Sequence, residues 1–111
     1  MAATETLKTP SFVAPAASTL TTLYTVPAGT QSVVSSINVC NTASTDATYR
    51  IAVTSGGSPV LANYLVYNAT IAGNETVSFT QGITLDENDL VAVFASSSAI
   101  AFNLFKMEIV P

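Results

Sequence analysis

The chain has 111 residues, a length that suits a single domain. Hydrophobic residues make up 49% of it and charged residues only 9%, against roughly 25% charged in an ordinary soluble domain. This balance excludes a highly charged disordered chain. A net charge of −4 with three basic residues, Lys8, Arg50 and Lys106, also speaks against nucleic-acid binding, which needs clustered cations.

Hydroxyl side chains take the place of charges: 16 Thr and 12 Ser occur in the chain. With no His and one Cys, Cys40, neither a zinc centre nor an internal disulfide can be assembled, and the usual imidazole base of serine hydrolysis is missing. The opening MAATETLKTPSF lacks the apolar stretch of a secretory signal. No run approaches the ~18 apolar residues of a membrane-spanning helix. Synthesis in a reducing cytoplasm fits these features.

Residues 1–18 contain Pro10, Pro15 and five Ala but no long alternating run, and they are expected to form an extended N-terminal arm. The arm either stays disordered or docks on a neighbour through Phe12 and Val13, with Pro10 and Pro15 as further interface candidates.

From residue 19 the signal is β. Thr19–Val26 mixes Thr, Leu, Tyr and Val, which suit a half-buried pleated surface. Pro27-Ala28-Gly29 reads as a turn, and Gln31–Asn41 resumes the strand pattern, so a hairpin is expected between the two runs. Within the second run Val33, Ile37 and Val39 share one face with Ser35 interrupting, and Val34, Ser36, Asn38 and Cys40 share the other.

After the polar loop Asn41–Asp46, Tyr49, Ile51 and Val53 alternate with Arg50, Ala52 and Thr54. Ser55-Gly56-Gly57-Ser58-Pro59 breaks the chain. Tyr64–Tyr67 reads as a strand that continues past a bend to Ile71, and Ala72–Glu75 as a turn. Val77 and Phe79 then alternate with hydroxyl residues. Thr84-x-x-Glu87 matches a helix capping box, but Leu90–Ala95 is a short continuous apolar run, and a turn at Asp86–Asp89 followed by a buried strand is expected. Ile100, Phe102 and Leu104 share one face and Phe105, Met107 and Ile109 the other, a change of phase that predicts a bulge near Leu104 or a strand covered on both sides.

About seven or eight strands with turns at the spacing of sandwiches and barrels point to an all-β fold. The expected architecture is a single antiparallel β-sandwich over residues 19–111, of jelly-roll or immunoglobulin-like type.

Chemistry is sparse. The seven carboxylates are Glu5, Asp46, Glu75, Asp86, Glu87, Asp89 and Glu108. Glycosidase action needs two of them facing across a cleft, and there is no Trp to stack a sugar. The Asp86–Asp89 stretch reads as a solvated acidic turn, with a weaker Ca²⁺ reading through Asp86, Asn88 and Asp89. Asn68-Ala69-Thr70 and Asn74-Glu75-Thr76 match the glycosylation acceptor pattern by chance in a Thr-rich chain. Tyr64 and Tyr67 are either core residues or aromatic contacts for a sugar. Arg50, opposite in phase to Tyr49 and Ile51, is either a solvated charge or the partner of an acid across an interface. The expected reading is no catalytic residues and no cofactor.

The ordered set Leu23-Tyr24-Thr25-Val26-Pro27-Ala28-Gly29-Thr30, Val33–Asn41 and Tyr49–Val53 resembles small β-rich virion structural proteins of tailed bacteriophages, especially those of cyanobacterial and marine phages. The resemblance spans about residues 20–110. It implies a non-enzymatic, self-associating virion protein made in the bacterial cytoplasm. A capsid cement or decoration protein is expected first, and a tail-associated or fibre component second. It also implies a homotrimer contacting the major capsid protein or tail proteins. The residue-level alternative is a receptor- or carbohydrate-binding sandwich module. Hydroxyl-rich, ion-poor strand faces suit such contacts, because Ser and Thr can bond across an interface without the desolvation cost of unpaired charges.

Overall fold

The computed structural model describes residues 4–110. Ten antiparallel strands follow in chain order: β1 (Thr4–Leu7), β2 (Ser11–Val13), β3 (Thr21–Thr25), β4 (Gln31–Asn41), β5 (Ala47–Thr54), β6 (Tyr64–Ile71), β7 (Thr76–Phe79), β8 (Ile83–Leu85), β9 (Leu90–Ala95) and β10 (Ile100–Val110). Among the described residues the one helical element is a 3-10 turn at Leu61–Asn63. Eight of the strands lie beyond residue 18. The strand expected after the acidic turn forms as β9 (Leu90–Ala95), with Val91, Val93 and Ala95 fully buried.

The strands make two sheets. In the first, β10 and β4 are central; β1 and β2 both pair with β10, and β7 and β8 both pair with β4. β1 pairs with Met107–Val110 and β2 with Phe102–Leu104, so the two form one interrupted edge strand. β7 and β8 form the other interrupted edge, against Ile37–Cys40 and Ser32–Val34. The second sheet has the order β3-β9-β5-β6. If each interrupted edge is taken as one strand, first pairs with eighth, second with seventh, third with sixth and fourth with fifth. This rolled-up arrangement is the connectivity of a jelly roll. The four-and-three strand division of an immunoglobulin constant domain does not fit it.

The hairpin expected between the first two β-runs does not form. β3 pairs with β9 and β4 with β10, so the Pro27–Gly29 turn carries the chain from one sheet to the other. The end of β3 is drawn toward the β9 side: Val26 N–H donates to the Asp89 carbonyl, and Asn88 N–H donates to the Val26 carbonyl. Gly29 takes the left-handed φ of +70° that this reversal needs.

Residues 4–13, read from the sequence as an arm, lie extended along β10 of their own chain. They supply the first strand of the roll, and Pro15 behind them is buried. The edge they cover is therefore an edge of the same chain.

The core lies between the sheets. Phe102, Leu104, Ile37 and Val39 of the first sheet meet Ile51, Val91 and Val93 of the second. Tyr49 stands edge-on to Phe102 across the gap, with ring centroids 6.4 Å apart. The interruption at Ser35 is a bulge: Ser36 opposes Phe105 and Val34 opposes Lys106, leaving Ser35 unpaired. The extra residue changes the phase of β4, so that Val34, rather than Val33, enters the core beside Ile37 and Val39. β10 keeps its phase through this point. Its inward row therefore runs Ile100, Phe102, Leu104 and then Lys106 and Glu108, from apolar to charged.

Candidate interaction surface

The described residues enclose no pocket. They hold no group of three or more His, Cys, Asp or Glu side chains placed to bind an ion. No helix among them is long and apolar enough to cross a membrane.

The acidic turn is built as a self-bonded loop. Asp89 Oδ2 accepts the Asp86 N–H at 2.9 Å, and Asp86 Oδ1 accepts the Glu87 N–H at 2.8 Å. Glu87 Oε2 accepts the Gly29 N–H at 2.9 Å, tying this turn to the β3–β4 turn. Asn88 occupies the left-handed region at φ +66°, which Asn tolerates better than most residues. One oxygen of Asp86 and one of Asp89 are thus engaged by backbone N–H groups.

Two surfaces remain. The first is the edge formed by β1 and β2. Leu7 is 83% exposed and Phe12 64% exposed on it, whereas Val13 packs against the core and Pro10 is half-buried. The segment is fastened at its middle by two of the chain's three cations. Lys106 Nζ donates to the Thr9 carbonyl and to Ser11 Oγ, each at 2.9 Å. Lys8 Nζ lies 3.8 Å from Glu108 Oε1.

Glu108 is buried, and its other oxygen accepts the Tyr24 hydroxyl at 2.7 Å. Burial is the main force pushing the Tyr24 phenol up to about 12; Glu108 adds to it, and a hydrogen bond with Ser32 opposes it. Lys106 sits 4.5 Å from the centre of the Tyr24 ring, and burial lowers its ammonium below the usual range, against the pull of Glu108.

The second surface is the outer face of the β3-β9-β5-β6 sheet. Arg50 of β5 opposes Phe94 of β9 in the register. Its guanidinium lies 4.2 Å from the Phe94 ring centre and 4.3 Å from that of Tyr67, held between the two rings. Tyr64 packs edge-on against Tyr67, with centroids 4.9 Å apart. Arg50 Nε donates to Asn68 Oδ1 at 2.7 Å, and Asn68 takes a left-handed φ of +54° at a bulge in β6. Ala52 and Ala92, paired beside this cluster, give it a low floor. Val60 and Leu61, in the loop that enters β6, are exposed.

The sequence pattern correctly sets Arg50 opposite in phase to Tyr49 and Ile51, but it gives no sign that Phe94 and Tyr67 clasp it. Phe94 reads as one more apolar residue in a buried run. Glu108 is likewise missed as a buried anchor, since its partner Tyr24 is 84 residues away. In comparisons with known proteins, no family model, curated protein or solved structure matches this chain.

Proposed function

We propose that this chain is a structural protein of a tailed-phage virion, a capsid-decorating protein that self-associates and binds the particle surface. One observation carries the reading. The outer face of the second sheet presents Arg50 between Phe94 and Tyr67 in strands that contain no other charged residue. Aromatic residues and Arg are the residue types enriched at protein interfaces, while Lys, Glu and Asp are depleted there. The exposed Leu7 and Phe12 on the β1–β2 edge supply a second apolar contact. The resemblance of residues 20–110 to phage virion proteins sets the biological context, with the major capsid protein as partner. Its role is adhesion, not turnover.

A tail or fibre position is the second reading within the same class. A carbohydrate-binding role is favoured by one feature, the half-exposed ring of Tyr67 beside Arg50 N–H groups.

The test is pelleting of the purified chain with phage particles that lack it. Saturable co-sedimentation with capsids supports decoration. Co-sedimentation with isolated tails moves the chain to the tail. A chain that ignores both particles and binds a glycan array overturns the virion reading.

A further inference from the structure

We infer that the outer face of the second sheet is where copies of this chain meet, with Arg50 of one copy receiving the Glu87 carboxylate of the next. This rests on the self-association proposed above and names its chemistry.

The first argument is the unused half of Arg50. A guanidinium carries five N–H donors in a rigid fork. Among the described residues only Nε has an acceptor, Asn68 Oδ1, and the one ion pair is Lys8–Glu108. Phe94 and Tyr67 flank the guanidinium carbon at 4.2 and 4.3 Å and hold the group in place, and its Nη donors have no acceptor among the described residues. An Arg fixed in this way presents the geometry that a carboxylate fits with two parallel bonds, and little side-chain freedom is left to lose on binding.

The second argument is the distribution of charge. β3, β5, β6 and β9 together contain one charged residue, Arg50. Lys8 and Lys106 are taken up by the cluster around Glu108. Asp46, Glu75, Asp86, Glu87 and Asp89 all lie in loops between strands. A positive, aromatic face and acidic loops on one molecule are complementary to each other. Two such faces opposed would bring Arg50 against Arg50. The favoured contact is therefore face to loop, a head-to-tail arrangement that closes into a ring or extends, and not a two-fold dimer through the face.

The β8–β9 turn is the fitting loop. It places three carboxylates within four residues. Glu87 is exposed, has the longest reach of the three, and uses Oε2 on Gly29 N–H, leaving Oε1 to accept from outside.

The test is sedimentation equilibrium of the full chain, with circular dichroism and melting to confirm that each variant is folded. Wild type should associate, and Arg50→Glu and Glu87→Lys should each weaken association about tenfold or more, as expected for loss of a central charge-assisted contact. Arg50→Lys keeps the charge without the fork and should fall between. The double variant carrying Arg50→Glu and Glu87→Lys restores opposite charges at every contact and should recover association. A wild-type chain that stays monomeric at high concentration overturns both this contact and the self-association beneath it. An oligomer indifferent to the single reversals, or a double variant no better than either single one, overturns this contact alone.

Discussion

Tyr24 of β3 and Glu108 of β10 join the two sheets through a hydrogen bond of 2.7 Å at the end of the sandwich where the inward row of β10 turns from apolar to charged. The same carboxylate reaches Lys8, so one buried residue links both sheets and the edge segment. Tyr24→Phe leaves that oxygen without its donor inside the protein. A cost of about 2 kcal/mol is expected, read from urea unfolding. Glu108→Gln keeps an acceptor but removes the charge that attracts Lys8. Its clearest signature should be faster amide exchange in Thr4–Leu7, with β4 and β9 unaffected.

Phe102 and Phe79 look alike in the sequence, each an apolar position in an alternating run, but the fold separates them. Phe102 is fully buried, whereas Phe79 is a partly buried edge residue that meets Tyr49 at 6.3 Å. Phe102→Ala should cost ~3–5 kcal/mol. Phe79→Ala should cost about half as much, because part of its ring already faces water. Equal losses in chemical unfolding would contradict the assignment of Phe79 to an edge.

Much of this architecture is legible from alternation. Tyr49 and Ile51 point inward as their spacing indicates, and the apolar run at Leu90–Ala95 is the strand it resembles, despite the capping-box pattern before it. What local pattern cannot carry is which strands pair. A short turn such as Pro27–Gly29 serves equally for a hairpin and for a crossing between sheets, and the long-range pairing of β3 with β9 and of β4 with β10 distinguishes them. The bulge expected near Leu104 of β10 lies instead in the facing strand, where Ser35 of β4 is left unpaired opposite Phe105 and Lys106, and the choice of Val34 over Val33 depends on that register. Gly73 reads as a turn glycine, yet its necessity is tertiary, since a Cβ there would overlap the backbone of Ser44. The Arg50 clasp is hidden for the same reason. Its two rings come from strands 17 and 44 residues further on, and nothing near Arg50 in the chain announces them.

Removing residues 1–13 should uncover the edge of β10 along Phe102–Leu104 and Met107–Val110 and strip Lys8 from Glu108. An open edge strand pairs readily with other chains. The shortened chain is expected to melt lower and to form concentration-dependent aggregates on size exclusion, while keeping a β-type circular dichroism spectrum. A shortened chain as stable and monodisperse as the full one would mean that β1 and β2 add nothing to the roll.

Alkaline stability follows from the tyrosines. Burial raises the Tyr24 phenol to about 12 from the ordinary 10.0, and burial with help from Glu75 raises Tyr49 as well. Above the ordinary tyrosine range the unfolded chain releases these protons while the folded one retains them, so the folded state loses ground as pH rises. Lys106, lowered by burial from the ordinary 10.5, works in the opposite sense and at lower pH, the folded state gaining as pH rises toward 10.5. The loss from Tyr24 should begin near pH 10.0 and continue toward about 12. In absorbance titration the Tyr24→Phe variant should lose the most alkaline phenol step. A wild type in which all tyrosines ionise together near the ordinary value would contradict the buried bond.

The most direct measurement of the proposed role is a reconstruction by electron cryomicroscopy of phage particles assembled in the presence of this chain. Density for the eight-stranded roll is expected on the outer capsid surface, in several copies per capsomer, with the Arg50 face against an acidic loop of the adjacent copy. Particles that carry no such density on capsid or tail, while the purified chain accumulates free in the lysate, would contradict a structural role on the virion.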